Sequence, residues 1–405
     1  MSSEHGWRDF WASRELRGAL VLGIVLGLAY SFVGPFMSLF GTKEVGLNSL
    51  EFGLFMTVTS LAAVVLSSLV ARWSDVRYSR RSTLLMSGLA GTLGYLGYAL
   101  VRDGWVLLAI GSTALAVSAG SFAQLFAYAR DVIQRDERLR DKAPLYMNVV
   151  RISFAFAWTL GPMISAWLMM RLSFLGTFLA AAGLYAAFTT LVLLLVPSRP
   201  PTAEAQALAE ALPLRKALAE PIVFTYFAAF SLYHACSVMG MMNLPLYLTR
   251  TLEGAETDVG IAYSVAPVFE LPFMISIGFL ALRIEHARII RASLVAAVLY
   301  YSGLALAEQP LGVFFLQILS AFVVSIMSGL AITFFQDFLP GQPGTATSLY
   351  SNSARVGSLL GYLAFGTIAE KFGYRVVFVA CAIACTVSLS ALVLLGSRRV
   401  DLRGS

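Results

Sequence analysis

Long apolar runs alternate with short polar segments along the whole chain. Each run is about 20 residues or longer, the length that an α-helix needs to cross roughly 30 Å of hydrocarbon. Because backbone polar groups in lipid must pair within their own segment, the runs are predicted to be helices rather than an open sheet. The twelve predicted helices are 18–41, 50–71, 83–101, 104–128, 144–170, 173–196, 219–248, 257–282, 289–307, 310–336, 344–369 and 374–396.

One short pattern occurs twice inside these runs. Leucine, tyrosine, asparagine and arginine have the same spacing in 145–151 and in 349–355, which lie 204 residues apart. The chain has only four asparagines, so a repeated Asn-x-x-Arg in apolar surroundings indicates an internal duplication rather than chance. Weaker echoes link equivalent helices: Gly53 with Gly260, and Pro35 with Pro245.

The runs and the repeat together predict an all-α membrane protein with twelve transmembrane helices in two pseudo-symmetric halves of six. The predicted parts are an N-terminal tail 1–17, a first half 18–196, a proline-rich linker 197–218, a second half 219–396 and a C-terminal tail 397–405.

Composition supports this class and excludes others. The 405 residues are 58% hydrophobic and 13% charged, whereas soluble domains carry about 25% charged residues. Of the 29 Lys and Arg residues, 21 fall on one side of the predicted topology and 6 on the other, which places both termini in the cytoplasm. The basic balance is therefore a topology signal and does not indicate nucleic acid. The three cysteines lie in apolar runs and are expected to be small buried residues.

The loop between the second and third helices carries an aspartate followed by a basic cluster: Asp75, Arg77, Arg80 and Arg81. A carboxylate at the end of a helix can pair with arginines and accept from a nearby helix N-terminus. This group is predicted to be a conformational latch, with an ordinary positive-inside loop as the alternative.

Charges at membrane depth are costly and need a reason. Glu270 is the only carboxylate predicted deep in an apolar run, between Pro267 and Pro272, and is the candidate proton carrier. His234 could relay protons or could simply be a packed histidine. Arg151 and Arg355 are candidates for carboxylate pairing or for donation to ligand oxygens, with snorkelling as the alternative.

Amide and aromatic side chains suited to sugars share these helices, because a sugar ring has an apolar face and a hydroxyl edge. Together with the two arginines, the predicted substrate-binding residues are Gln124, Asn148, Trp158, Asn243 and Asn352.

Several stretches resemble the bacterial sugar efflux transporter family within the major facilitator superfamily. They are 124–130, 157–162, 270–274, 335–341, 344–349 and 352–353, and the Asp75 loop fits them with altered spacing at Tyr78. The resemblance implies the major facilitator fold and export of sugars or glycosides from the cytoplasm by proton antiport. Arg355 is not covered by the resemblance, so its role rests on the internal repeat.

The predicted function is a secondary active sugar exporter in a bacterial cytoplasmic (inner) membrane, with a sugar or glycoside, protons and lipid as partners. A multidrug/proton antiporter of the same fold is the alternative. An intramembrane enzyme is disfavoured, because the chain lacks a His-Glu-x-x-His motif and paired aspartates. A non-transporting sensor is disfavoured because no soluble output domain is evident. No cofactor and no metal are expected, and the sequence, which is compatible with a monomer, leaves the oligomeric state open.

Overall fold

A computed structural model of the chain describes residues 10–76, 79–140, 142–199, 217–339 and 343–395. Within these ranges the chain forms twelve long helices. The first six are α1 (Arg14–Glu44), α2 (Ser49–Val76), α3 (Arg80–Leu100), α4 (Gly104–Arg135), and α5 and α6, which share the helical stretch Ala143–Leu195. The last six are α7 (Pro221–Thr251), α8 (Glu256–Leu280), α9 (His286–Leu306), α10 (Pro310–Gly329, continued by Ala331–Phe338), α11 (Pro343–Phe372) and α12 (Tyr374–Leu395).

The twelve helices confirm the predicted fold class, and ten described segments are long and apolar enough to span a membrane. One of the ten, Leu145–Leu195, is 51 residues long and contains both α5 and α6. Ser173 separates these two helices, because its φ of 54° and ψ of −164° break the helical path. α11 is not among the ten, and its first half is rich in serine and threonine.

Two compact units emerge from the packing. The first consists of Met1–Phe36 and Val58–Ala207. In it α1 packs against α5 and α3 packs against α6. The interior is a continuous apolar cluster to which α1, α5 and α6 contribute Leu22, Leu26, Tyr146, Val150, Tyr185, Phe188 and Val192.

The second unit consists of Met37–Thr57 and Leu208–Ser405. α7 lies against α11 and α12, α9 against α10 and α12, and α8 against α10. Residues 37–57, which comprise the end of α1 and the start of α2, belong to this unit rather than to the first. Residues 200–216 of the predicted linker, 1–9 of the predicted N-terminal tail and the whole predicted C-terminal tail lie outside the described residues. The predicted division at the linker stays a prediction.

Polar contacts and one close helix crossing explain why segment 37–57 packs in the second unit. Lys43 forms an ion pair with Glu256, and the Arg250 guanidinium donates to the Thr42 hydroxyl at 3.0 Å. The backbone N–H of Ser49 donates to Glu370 Oε2 at 2.9 Å. Farther along the segment, the start of α2 crosses α11 closely.

The helices preserve the internal repeat in their geometry. α1 and α7 each end in one turn of π-helix, Phe40–Glu44 and Tyr247–Thr251, and these turns begin 207 residues apart. α3 and α9 are both 21 residues long. The π-helical turns and the equal helix lengths therefore support the duplication that was inferred from the Asn-x-x-Arg repeat.

Candidate functional site

A polar network joins the first turn of α3 to the last turns of α4. Arg80 Nε donates to Asp131 Oδ2 at 3.0 Å, and its Nη1 donates to Gln124 Oε1 at 3.2 Å. Each side chain of the Arg80–Asp131 pair is only 16% exposed. The Thr83 hydroxyl also reaches Gln124, at 3.5 Å. Gln124, predicted to bind substrate, is thus hydrogen-bonded to Arg80, which was predicted to belong to the latch.

The other predicted latch residues have separate environments. Arg81 Nη2 donates to the Leu193 carbonyl at 2.8 Å and so binds the end of α6. Asp75 lies in α2, and its side chain, like the whole of Arg77, lies outside the described residues. The Asp75 latch stays a prediction. Asp131, which the sequence analysis missed, is the described carboxylate that pairs with Arg80.

On α5, Arg151 and Trp158 lie on one helical stripe with Phe154, at spacings of three and four residues. Phe154 packs edge-on against Tyr30 of α1 and Phe122 of α4, with ring centroids 5.9 Å and 4.8 Å away. The arginine is half-buried, and in the described part of the chain it has no ion-pair partner. This stripe thus combines an unpaired cation with aromatic surfaces.

Asn148 precedes Arg151 by three residues and is exposed. It lies on the same side of α5 as the arginine, because residues three apart on a helix share a face. Asn148 and Trp158 thus precede and follow Arg151 along α5, whereas Gln124 is hydrogen-bonded to Arg80 of α3.

In the second unit the repeated residues on α11 have different surroundings. Asn352 Nδ2 donates to the Ser348 carbonyl one turn earlier at 2.8 Å. Arg355 is exposed and makes no ion pair among the described residues. Tyr350 donates to the Met327 carbonyl at 2.7 Å, while its counterpart Tyr146 is fully buried. The shared motif therefore supports two different local packings.

His234 on α7 lies beside α11. Its ring packs edge-on against Tyr350, with centroids 5.4 Å apart, and against Tyr233 at 5.3 Å. The Nε2 atom is buried and has no hydrogen-bond partner among the described residues, and the same is true of the nearby Ser231 hydroxyl. Two orphan polar groups one turn apart mark this part of α7 as a place where an additional hydrogen-bonding group would be stabilised.

Glu270 lies on α8 between two prolines that interrupt the helical hydrogen bonding, Pro267 and Pro272. The Ser325 hydroxyl of α10 donates to the Glu270 main-chain carbonyl at 3.0 Å. The carboxylate itself has no ion pair or hydrogen bond among the described residues. A partly buried carboxylate without a fixed partner can exchange its proton more readily than one held in a salt bridge.

Asn243 near the end of α7 is fully buried, and its amide donates to the Tyr374 carbonyl at 2.8 Å. Its side-chain oxygen has no partner within the described ranges. The contact ties α7 to the first residue of α12. Asn243 therefore has a packing role in this structure, and its predicted substrate contact stays a prediction.

No cluster of three or more His, Cys, Asp or Glu suited to a metal ion occurs among the described residues. Cys236, Cys381 and Cys385 are free and buried, as expected of small packing residues. The Cys236 thiol contacts the Cys381 carbonyl at 3.6 Å, which joins α7 to α12.

The model of the Major Facilitator Superfamily matches residues 19–354. The chain belongs to this superfamily. Within it, the chain is 37% identical over 390 residues to a Deinococcus radiodurans protein named "Putative sugar efflux transporter", covering 95% of this chain and 98% of the relative. It is 32% identical to sugar efflux transporter A of Dickeya chrysanthemi, over 89% of this chain and 90% of that one. These relatives confirm the resemblance to the sugar efflux transporter family and the expectation of a transporter rather than an enzyme.

Solved structures show the same fold at low identity. A mutant of the nucleoside transporter NupG aligns with a TM-score of 0.78 and 14% identity, covering 94% of this chain and 99% of that one. A bacterial homologue of the human lysosomal transporter Spinster aligns with a TM-score of 0.75 and 10% identity, covering 94% and 96%. The protein is therefore a multi-pass membrane protein of the major facilitator fold.

Proposed function

We propose that this protein exports sugars or glycosides from the cytoplasm by proton antiport with alternating access. Similarity to sugar efflux transporters over about nine-tenths of the chain is the observation that carries the proposal. Transporters of this architecture bind substrate near mid-membrane, where the six-helix repeats meet.

The chemistry of the candidate residues supports a polyhydroxylated substrate. Arg151 offers a guanidinium without an ion partner in the described chain, and Trp158 adds an aromatic ring on the same stripe. Arginine donates several hydrogen bonds in a fixed fork, which suits neighbouring hydroxyls. An aromatic face covers the apolar C–H face of a sugar ring. Arg355 and Asn352 are the repeat-related candidates on α11.

We assign proton coupling to Glu270, with His234 as the candidate relay. In the proposed cycle, protonated Glu270 releases its proton to the cytoplasm while the protein faces inward, and substrate then binds. The protein converts to the outward-facing form and substrate leaves. Reprotonation from the outer side favours the return step. The Glu270 carboxylate suits this role because no described cation holds it permanently ionised.

The proposed location is the bacterial cytoplasmic (inner) membrane with both termini in the cytoplasm. The Lys and Arg distribution supports this orientation. In this proposed orientation, the Arg80–Asp131 pair lies at the cytoplasmic ends of α3 and α4, and segment 37–57 lies toward the outer side.

Transport into inverted membrane vesicles tests the proposal. Labelled sugars and cationic dyes are supplied with and without a proton gradient, and empty-vector vesicles serve as the control. We expect uphill accumulation of at least one sugar that collapses when the gradient is dissipated. Accumulation of dyes without any sugar would instead support the multidrug antiporter. Sugar uptake that does not depend on the proton gradient would contradict proton antiport.

A further inference from the structure

A histidine–aspartate pair joins α9 to α10 in the second unit. His286 Nδ1 lies 2.5 Å from Asp337 Oδ2. The histidine side chain is 22% exposed and the aspartate side chain 51% exposed, so the pair lies at the surface end of these helices with its imidazole largely covered.

The pair occupies the position that Arg80 and Asp131 occupy in the first unit. His286 follows Arg80 by 206 residues, and Asp337 follows Asp131 by the same 206 residues. Arg80 and His286 are each the first residue of a 21-residue helix. Asp131 and Asp337 each lie in the last helical segment of the next helix. The internal duplication has therefore kept one contact in both units and changed the cation.

The change of cation alters the chemistry. A guanidinium stays protonated at every physiological pH, whereas an imidazole gains and loses its charge between about pH 5 and pH 8. The Arg80–Asp131 attraction is therefore permanent. The attraction between a protonated His286 and Asp337 is lost as the imidazole becomes neutral, although a neutral ring can still donate one hydrogen bond.

Among the described residues, Asp337 is the anionic partner of His286, because the other charged groups nearby bind elsewhere or are exposed. Glu285 precedes the histidine and is 3.5 Å from Arg288, with which it pairs. Arg291 Nε donates to the Ala287 carbonyl at 3.1 Å, and Arg283 is exposed in the preceding turn. α12, which also packs against α9, contributes no charged residue after Arg375 in its described part.

We propose that His286 and Asp337 form the second unit's counterpart of the Arg80–Asp131 pair and act as positioning residues that make the α9–α10 connection respond to cytoplasmic pH. At low pH the pair holds the start of α9 to the end of α10 with an ion pair, as Arg80 does permanently for α3 and α4. At higher pH this tie weakens while the first unit's tie persists. The two units then differ in the stiffness of their cytoplasmic ends.

This inference rests on the proposed transport function for its consequence, and the test compares variants at fixed pH. Sugar exchange without a gradient is measured for the parent, His286→Arg, His286→Gln and Asp337→Asn at about pH 5.5 and about pH 8. We expect the parent to match His286→Arg at the lower pH and His286→Gln at the higher pH. The expected separation between the two variants is about twofold to fivefold, the size typical of a partly exposed ion pair.

Two further comparisons sharpen this test. Glu308→Gln removes an exposed charge outside the pair and should keep the parent's profile. When Asp337→Asn is also present, the His286→Arg and His286→Gln variants should exchange sugar at the same rate, because neither side chain then has a carboxylate to bind. The proposal is overturned if the parent's rate of sugar exchange, divided by the rate of each His286 variant, is the same at the two pH values.

A spectroscopic readout separates the pair from the transport function. The ring signal of His286, assigned by its loss in His286→Gln, is followed by NMR as a function of pH in purified protein. We expect its titration to change in Asp337→Asn and to be unchanged in Glu308→Gln. If the titration is identical in Asp337→Asn, the pair does not form and the inference fails. If the titration responds but no variant transports sugar, the proposed function fails and the pair stands.

Discussion

Gly53 of α2 and Gly366 of α11 meet backbone to backbone. A methyl group on Gly53 would lie 2.8 Å from the Gly366 Cα, and one on Gly366 would lie 2.8 Å from the Ser49 carbonyl oxygen. Real Cβ atoms do not approach other atoms this closely, so any side chain at either position must push the two helices apart. Small residues allow such close crossings in membrane proteins. This crossing therefore depends on the absence of two side chains.

We predict that Gly366→Leu releases segment 37–57 from the second unit. Overpacking of this kind costs about 1–3 kcal/mol, which corresponds to about a 5-fold to 150-fold rise in the released population. Maleimide labelling of Ser49→Cys measures it, because Ser49 is only 5% exposed and the native cysteines are buried. Gly312→Leu is the matched control, since a Cβ there meets no atom within 4 Å. Equal labelling rates in the two leucine variants would contradict the prediction.

The Arg80–Asp131 pair should stabilise the first unit. At 16% exposure for each side chain, the pair lies between exposed ion pairs and fully buried ones. Arg80→Ala leaves the Asp131 carboxylate without its guanidinium, and we expect a loss of about 1–3 kcal/mol in the free energy of unfolding. Thermal denaturation in detergent measures the loss. Combining Arg80→Asp with Asp131→Arg should restore part of it.

Arg138→Ala is the control for that experiment, because Arg138 is 75% exposed and should change stability by less than about 0.5 kcal/mol. If the exposed arginine matters as much as Arg80, burial does not set the strength of the pair.

Replacement of Glu270 by glutamine should separate coupling from binding. Glutamine keeps the shape and polarity of the side chain but cannot carry a proton. We expect Glu270→Gln to abolish uphill export driven by a proton gradient while sugar exchange across the membrane continues. Vesicle uptake with and without the gradient measures both. Glu308→Gln, an exposed change between α9 and α10, should alter neither. Undiminished uphill export in Glu270→Gln would show that another group carries the proton.

Arg355 should contribute to sugar affinity rather than to folding. A hydrogen bond from a charged donor contributes about 1.5–3 kcal/mol, so Arg355→Ala should raise the dissociation constant about 10-fold to 150-fold. Equilibrium binding of labelled sugar measures this, and the melting temperature should stay unchanged because the side chain is exposed.

Arg375 is the matched control, because it should contribute to folding rather than to sugar affinity. It donates to the Ala305 carbonyl at 2.6 Å and lies 5.6 Å from the Tyr247 ring centroid. Arg375→Ala should therefore lower the melting temperature and leave affinity intact. Should Arg355→Ala bind sugar as the parent does, the repeated arginine has no role in recognition at that position.

The helices were predictable because a bilayer imposes length and apolarity on each of them. Their ends were less predictable, since α3 begins three residues before its predicted limit, whereas α2 ends five residues and α4 seven residues after theirs. The packing of segment 37–57 could not be read from local pattern, because it depends on partners such as Glu370 that are more than 300 residues away.

The candidate site shows the same limit. The sequence indicated Gln124 and Asn243 by residue type, yet their hydrogen bonds to Arg80 and to the Tyr374 carbonyl depend on how neighbouring helices are placed. His286 and Asp337 did have a sequence signal. A shift of 206 residues aligns them with Arg80 and Asp131, close to the 204-residue shift of the Asn-x-x-Arg repeat.

The position of segment 37–57 has a consequence for the chain as two fragments. If the protein is cut within 200–216, the first fragment still carries Lys43, Ser49 and Gly53 on its own helices. The second fragment carries their partners Glu256, Glu370 and Gly366. Two co-expressed fragments can therefore bind each other through segment 37–57 and its partners. Complementation between the fragments should depend more on this segment than on an intact chain within 200–216.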